Sequence, residues 1–359
     1  MEEDHSLVDV HVGSGAHGGP NRASRRNKLW LLDRSGNVVR DVLDPEAHGA
    51  ATVVADGSGN FYFVMSKVFS VTRDGATRWV FNLGSGISTS SMLLSPSGIL
   101  YFAASDGYIY ALRTSDGQVH WKQGGALRPD GIVRPVIIGV GDALFVDDKV
   151  YRAGDGTLLG SIAVNGAPVQ PGPAWAAGFV AGRFVEVGDR LQLRLHLLGK
   201  CGQLLWSFPD RDSWHVGLVG KDDALLVRRF DGTNFWSHWY SATGALLDGP
   251  HPTRGIPTAL GADGTVYSLE CVAGPLGPGD MTVFAYAPDL SVSWSLPLGS
   301  PCNFQAAALA DDGVLYIARD VSNGVEVVAV QTASPGLAST PWPTRGHDNG
   351  RTGWLGSAP

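Results

Sequence analysis

Short apolar runs of four to six residues, divided by glycine-bearing turns, follow one another along almost the whole chain. The clearest stretch is Ile99 to Trp121, ILYFAASDGYIYALRTSDGQVHW, where three such runs are separated by Ser-Asp-Gly and Thr-Ser-Asp-Gly. Runs of this length read as strands, and the separators as tight hairpin turns, because Gly and Asp accept positive φ. Within Tyr108-Ile109-Tyr110-Ala111-Leu112 the apolar character is nearly unbroken, as in a strand covered on both faces. No segment of ten or more residues carries helical periodicity free of Gly or Pro. The pattern therefore predicts an all-β chain.

The turns recur at a fixed interval. A turn glycine is followed four residues later by tryptophan at Gly75/Trp79, Gly117/Trp121 and Gly202/Trp206. Gly36/Arg40, Gly156/Gly160 and Gly244/Asp248 keep the glycine without the tryptophan, and Leu290/Trp294 keeps the tryptophan without the glycine. The marks at 40, 79, 121, 160, 206, 248 and 294 are spaced by 39, 42, 39, 46, 42 and 46 residues. A period of ~40–45 residues with four strands per unit is the signature of a β-propeller blade. First strands are expected near Ala50, Ser88, Gly131, Ala167, His215, Gly255 and Asn303. Ahead of them, Leu7–Val12, Lys28–Leu32 and Asn37–Leu43 match three strands of a blade lacking its first. The C-terminal tail is expected to supply that strand, so that the N- and C-terminal segments pair and close the ring. This makes four-stranded antiparallel blades, eight in number. Seven is the alternative, because the last unit has no clean fourth strand and Trp342 only roughly occupies the eighth mark. Residues 1–27 are expected to form the N-terminal strand and Gly-rich loop of the closing blade, 28–340 the propeller repeats and 341–359 the closing segment.

Composition agrees with a folded, turn-rich chain: 48 of 359 residues are Gly, 44% are hydrophobic and 11 are Trp. The net charge of −7 argues against nucleic acid, which needs clustered cations. Arg22, Arg25, Arg26 and Lys28 sit in a Gly/Asn/Ser-rich stretch and read as a solvated loop. No run approaches the ~20 apolar residues of a membrane helix. The acidic start Met1-Glu-Glu-Asp-His has no apolar h-region. Either the protein is cytoplasmic or a signal has been removed. A monomer is expected. Cys201, Cys271 and Cys302 form no CxxC pair, and whether Cys271 and Cys302 join is open.

The run Ala111 to Trp121, ALRTSDGQVHW, is similar to the tryptophan-docking repeat of pyrroloquinoline quinone (PQQ)-type propellers, with Ala111, Gly117 and Trp121 at that motif's spacing. Arg113, Asp116 and Gln118 replace its usual Asp, Thr and Lys. The tail from Pro341 to Gly353, PWPTRGHDNGRTG, resembles the WP-x-x-x-HD-x-x-x-TG segment of PQQ-like and BamB-type proteins. The resemblance implies that Trp79, Trp121, Trp206 and Trp294 pack between blades. It assigns Trp342, His347, Asp348 and Arg351 to ring closure, and it implies a cell-envelope setting in the periplasm, at the outer membrane or outside the cell.

Catalytic chemistry is harder to place. A quinoprotein dehydrogenase holds PQQ on a tryptophan beside Ca²⁺, often with a disulfide between adjacent cysteines. Adjacent cysteines are lacking here and no Glu/Asn/Asp ligand set can be assigned. Hence no cofactor and no catalytic or metal-binding residue is expected. The Asp-Gly pairs beginning at Asp56, Asp74, Asp106, Asp116, Asp155, Asp231, Asp263 and Asp312 lack the further carboxylates of a Ca²⁺ loop and read as hairpin turns. His5, His11 and His17 are evenly spaced without an ordered scaffold, and GPLGPG at 274–279 precedes a strand, so it is no phosphate loop. The aromatic run Asn234–Tyr240 offers either inter-blade packing or a sugar-stacking platform on Trp236 and Trp239. The expected protein is a non-catalytic scaffold for a protein or glycan partner, bound on a loop face or at the channel mouth. Its alternatives are a PQQ/Ca-dependent dehydrogenase and a carbohydrate-binding or -cleaving propeller.

Overall fold

The computed structural model describes residues 8–11, 27–33, 37–44, 53–64, 67–84, 91–175, 178–187, 190–199, 202–208, 213–231, 233–274, 277–299, 304–321, 324–340, 343–344 and 354–355. Seven antiparallel sheets follow one another from Val53 to Gln331 and make a β-propeller of seven blades. Blade one is Val53–Ala55, Phe61–Val64, Lys67–Val71 and Thr77–Asn82; blade two begins at Leu93 and blade three at Val136. Blades four, five, six and seven begin at Gln170, Ser213, Ile256 and Phe304. Blade seven has three strands among the described residues. From blade one through blade seven, the first strand of each blade lies beside the first strand of the next. The periodic marks all fall on the outermost strands: Trp79 in Thr77–Asn82, Trp121 in Val119–Gly124, Gly160 in Leu158–Ser161, Trp206 in Leu204–Ser207, Asp248 in Leu246–Pro252 and Trp294 in Val292–Gly299.

Strands that alternate in direction put their turns at alternate ends. Turns joining first to second and third to fourth strands therefore share one face, here called lower. Second-to-third turns and the connections between blades share the upper face. No single core fills the ring. Among the described residues, five of the six apolar clusters straddle a seam, as where Tyr101, Ile109 and Ala111 of blade two meet Leu144, Val146 and Tyr151 of blade three, and one lies within blade one. Fully buried residues such as Leu144 each contribute ~1.5–3 kcal/mol, so the seams hold the ring together.

The termini depart from expectation. Val8–His11, Asn27–Leu32 and Val38–Asp44 form a three-stranded sheet whose first strand lies beside the first and second strands of blade seven. Among the described residues the tail does not complete that sheet. The Ala262 amide donates to Gly336, the Ala338 amide to Leu260, and the Leu260 amide to Pro343. Farther on, Trp354 and Leu355 pair in parallel with Gly139 and Val140 of blade three. The described part of the tail thus bonds along the lower ends of the inner strands as a strap, and the rest of the closing segment lies outside the described residues. The blade count is seven, the alternative the repeat marks left open. Cys271 is disulfide-bonded, and its partner lies outside the described residues.

Candidate functional site

The tryptophans sit at the seams. Trp79 of blade one donates its indole N–H to the Thr114 carbonyl of blade two at 2.8 Å. Trp121 does the same to Ala153 of blade three, also at 2.8 Å. Each ring lies where the turn glycine of the next blade leaves room. A Cβ on Gly117 would come within 2.6 Å of Trp79, one on Gly156 within 2.7 Å of Trp121, and one on Gly244 within 2.5 Å of Trp206. Trp294 packs with Leu309, Leu315 and Ile317 of blade seven. Trp342, His347, Asp348 and Arg351 lie outside the described residues, as do His5, His17 and the side chain of His11.

Among the described residues, two seams lack the indole, and in each a different side chain takes its place. Between blades five and six, Asp248 stands at the tryptophan position, and the opposing turn carries Leu290 at φ 59° instead of glycine. Leu290 is buried among Leu218, Leu260 and Tyr286. With no ring arriving from blade five, a side chain at the turn fills the space. Between blades three and four, Gly160 replaces the tryptophan and Ile162 lies 3.7 Å from where a Cβ of Gly202 would be.

The seam between blades three and four also holds a charged network. Asp147, on the upper turn of blade three, is 5% exposed. Arg128 donates to it from two of its three nitrogens, Nε at 2.7 Å and Nη2 at 2.6 Å. Arg134 reaches it at 2.9 Å and Gln170 of blade four at 2.6 Å. Burial alone would raise the Asp147 carboxyl. Hydrogen bonds from Arg128 and Gln170 and the charges of Arg128 and Arg134 outweigh burial and hold it below the usual carboxylate range.

A second signal of the repeat was missed in the sequence. Tyrosine follows a turn glycine by three residues at Gly59/Tyr62, Gly98/Tyr101, Gly264/Tyr267 and Gly313/Tyr316. All four tyrosines are buried. Tyr101 donates to the same Ala153 carbonyl that Trp121 uses, at 3.1 Å, and burial raises its hydroxyl to about 12.

Trp236 and Trp239 are three positions apart on the strand Phe235–Tyr240, whose pairing with Leu225–Phe230 is regular. Their side chains therefore leave opposite faces, and they make no common platform. Trp236 donates to Asp231 at 2.7 Å, whereas Trp239 packs against the cluster of Leu226, Leu260 and Phe284. The Asp-Gly pairs are turns: Asp56, Asp106, Asp116, Asp155, Asp231, Asp263 and Asp312 each accept the amide two residues on.

His238, 4% exposed, is pushed down to about 4, first by burial and then by the charges of Arg229 and His251. The unfolded chain, titrating near 6.5, takes up this proton first as pH falls. Stability is therefore complete above 6.5 and drains away toward pH 4, by on the order of 3 kcal/mol. Urea unfolding at pH 7.5 and 4.5 measures the loss. His238→Gln is expected to show a smaller loss over that interval, and equal losses in the two proteins would refute the assignment.

No family model matches the chain, and no curated protein matches it in sequence. Among solved structures, the computationally designed protein Ika8 is 15% identical over 91% of this chain and 95% of its own, with a TM-score of 0.60. A eukaryotic initiation factor is 11% identical over 93% of this chain and 98% of its own, at 0.51. BamB from Moraxella catarrhalis is 13% identical over 93% and 95%, at 0.48. At such identities these likenesses bear on the fold alone.

Proposed function

We propose that this chain is a PQQ-like propeller without catalytic machinery, serving as a rigid scaffold that holds a protein partner on its upper face. The observation that carries this reading is the strap. Gly336, Ala338 and Pro343 bond to the lower end of blade six's inner strand, Thr340 to Val219 of blade five, and Leu355 pairs with Val140 of blade three. The lower ends of the inner strands of blades three, five and six are thus occupied by residues of the tail. The upper face bears the long hairpins, such as Gly178–Val187 with Arg190–Gly199 in blade four. Loops on a rigid frame are where recognition concentrates.

Two more features support a scaffold. The repeat tryptophans are occupied at seams, and the Asp-Gly carboxylates are engaged by their own turns. The divergence of Trp236 and Trp239 favours a protein over a sugar. The disulfide at Cys271 suits an oxidising compartment, in keeping with the cell-envelope setting the PQQ-like resemblance implies.

Photo-crosslinking residues placed in the source cell test the reading. At Thr233, on an exposed upper turn, partner adducts are expected; at Lys221, on an exposed lower one, they are not. Adducts at Lys221 alone would reverse the assignment of faces. Tight uptake of PQQ with Ca²⁺, followed by dye-linked oxidation of an alcohol or sugar, would overturn the scaffold in favour of a dehydrogenase. A glycan array with strong hits would replace the protein partner by a carbohydrate.

A further inference from the structure

The buried arginines of this propeller are not treated alike. Arg319, 8% exposed, gives its Nε to Glu326 at 2.7 Å and its Nη1 to the Leu298 and Gly299 carbonyls. Arg134 has Asp147 and Asp148. Arg228 is 6% exposed, and its Nε has no hydrogen-bond partner. It lies on the strand Leu225–Phe230 of blade five, on the face that meets blade six, with its guanidinium carbon 4.1 Å from the Phe235 ring centre. The carboxylate nearest in effect is Glu270 of blade six. Glu270 already accepts the Nε of Arg254, at 3.1 Å, and the hydroxyl of Tyr286 accepts the Arg254 backbone amide. Arg254 itself lies over Phe284 and is 62% exposed.

Among the described residues, the upper end of this seam carries two guanidinium groups, both laid on aromatic rings, and the engaged carboxylate of Glu270. A buried charge is tolerated where it is paired and hydrogen-bonded, and an unpaired one is costly. The planar fork of arginine matches a carboxylate in two parallel hydrogen bonds. We propose that the upper end of the seam between blades five and six is a binding site for a carboxylate, with Arg228 as its buried anchor and Arg254 at its mouth. Burial draws the Arg228 guanidinium down to about 10, which leaves it charged at neutral pH. The site stands on its own geometry and does not depend on the scaffold reading.

Thermal unfolding in sodium formate against sodium chloride at equal ionic strength tests the site. The midpoint is expected to rise with the logarithm of formate concentration, as for a ligand that binds only the folded state. Arg228→Met is expected to abolish that increment and to unfold at a higher temperature than the wild type in chloride, since an uncompensated charge has been removed. Arg254→Gln, at an exposed position, is expected to weaken the formate response several-fold when measured against its own midpoint in chloride, and it serves if Arg228→Met fails to fold. Identical midpoints of the wild type in the two salts would overturn the proposal. So would a formate response that survives in either variant at full strength. A tetraglutamate peptide separates the sources: a response at lower concentration than formate points to a partner's acidic side chain, and a response to formate alone points to a small acid.

Discussion

Replacing Asp147 by alanine is expected to cost about 3–5 kcal/mol, the range for removing one partner of a buried ion pair. The size follows from what is left behind. Arg128, Arg134 and Gln170 all converge on this carboxylate, and Arg134 keeps Asp148 as its remaining carboxylate. Asp147→Asn preserves the shape and tolerates the positive φ of 58° at this position, so its loss is expected to be smaller but still substantial. Urea unfolding at pH 7 measures both, with a lower midpoint and an unchanged slope if the native and unfolded states are otherwise intact. A loss under ~1 kcal/mol for Asp147→Ala, within the range of exposed pairs, would show that the network is dispensable.

Gly117→Ala is the second change expected to act strongly. The new Cβ would lie 2.6 Å from the Trp79 ring, at a residue whose φ is +71°. Left-handed backbone costs an L-residue ~1–2 kcal/mol, and overpacking adds ~1–3 kcal/mol. Gly107→Ala is the control, because its φ is +91° and nothing lies within 4 Å of a Cβ there. It is expected to show the backbone part alone. With Trp79→Ala in place the steric part should vanish, so that Gly117→Ala then costs no more than Gly107→Ala. Equal costs of Gly117→Ala with and without Trp79 would mean that the ring and the turn are not coupled.

This pair also marks what was legible in the sequence. A wedge needs an indole in one repeat and a turn without Cβ in the next, so both partners recur at the blade period and the outermost strands could be placed from Gly75/Trp79 onward. The start of blade four falls three residues after Ala167 for a local reason: Asn165 and Gly166 both have positive φ and turn a separate hairpin, Ala163–Val164 with Ala167–Pro168. Asn-Gly is the favoured sequence for such a turn, and the blade starts only at Gln170. The charged seams left no periodic trace. Asp147-Asp148 reads as a polar turn, and its partners Arg128, Arg134 and Gln170 are brought to it only by ring closure. Arg228 lies in LLVRRF, where a strand pattern gives no sign that its charge is turned inward. The tail motif was readable, but its destination was not, because the strand edges that receive it lie far away in sequence.

That destination has a consequence for how the protein is made. The amides of Leu260 and Ala262 receive their partners from Pro343 and Gly336, which leave the ribosome long after blade six has been synthesised. At ~5–20 residues per second the inner end of that blade waits several seconds with its backbone unsatisfied. The six blades before the last can assemble seam by seam as they emerge, but the lower ends of these inner strands gain their partners only once residues 336–355 have followed. A nascent chain stalled before the strap would carry nearly all of its sheets and still present an open, pairing-competent edge to whatever chaperone or neighbouring chain is nearest.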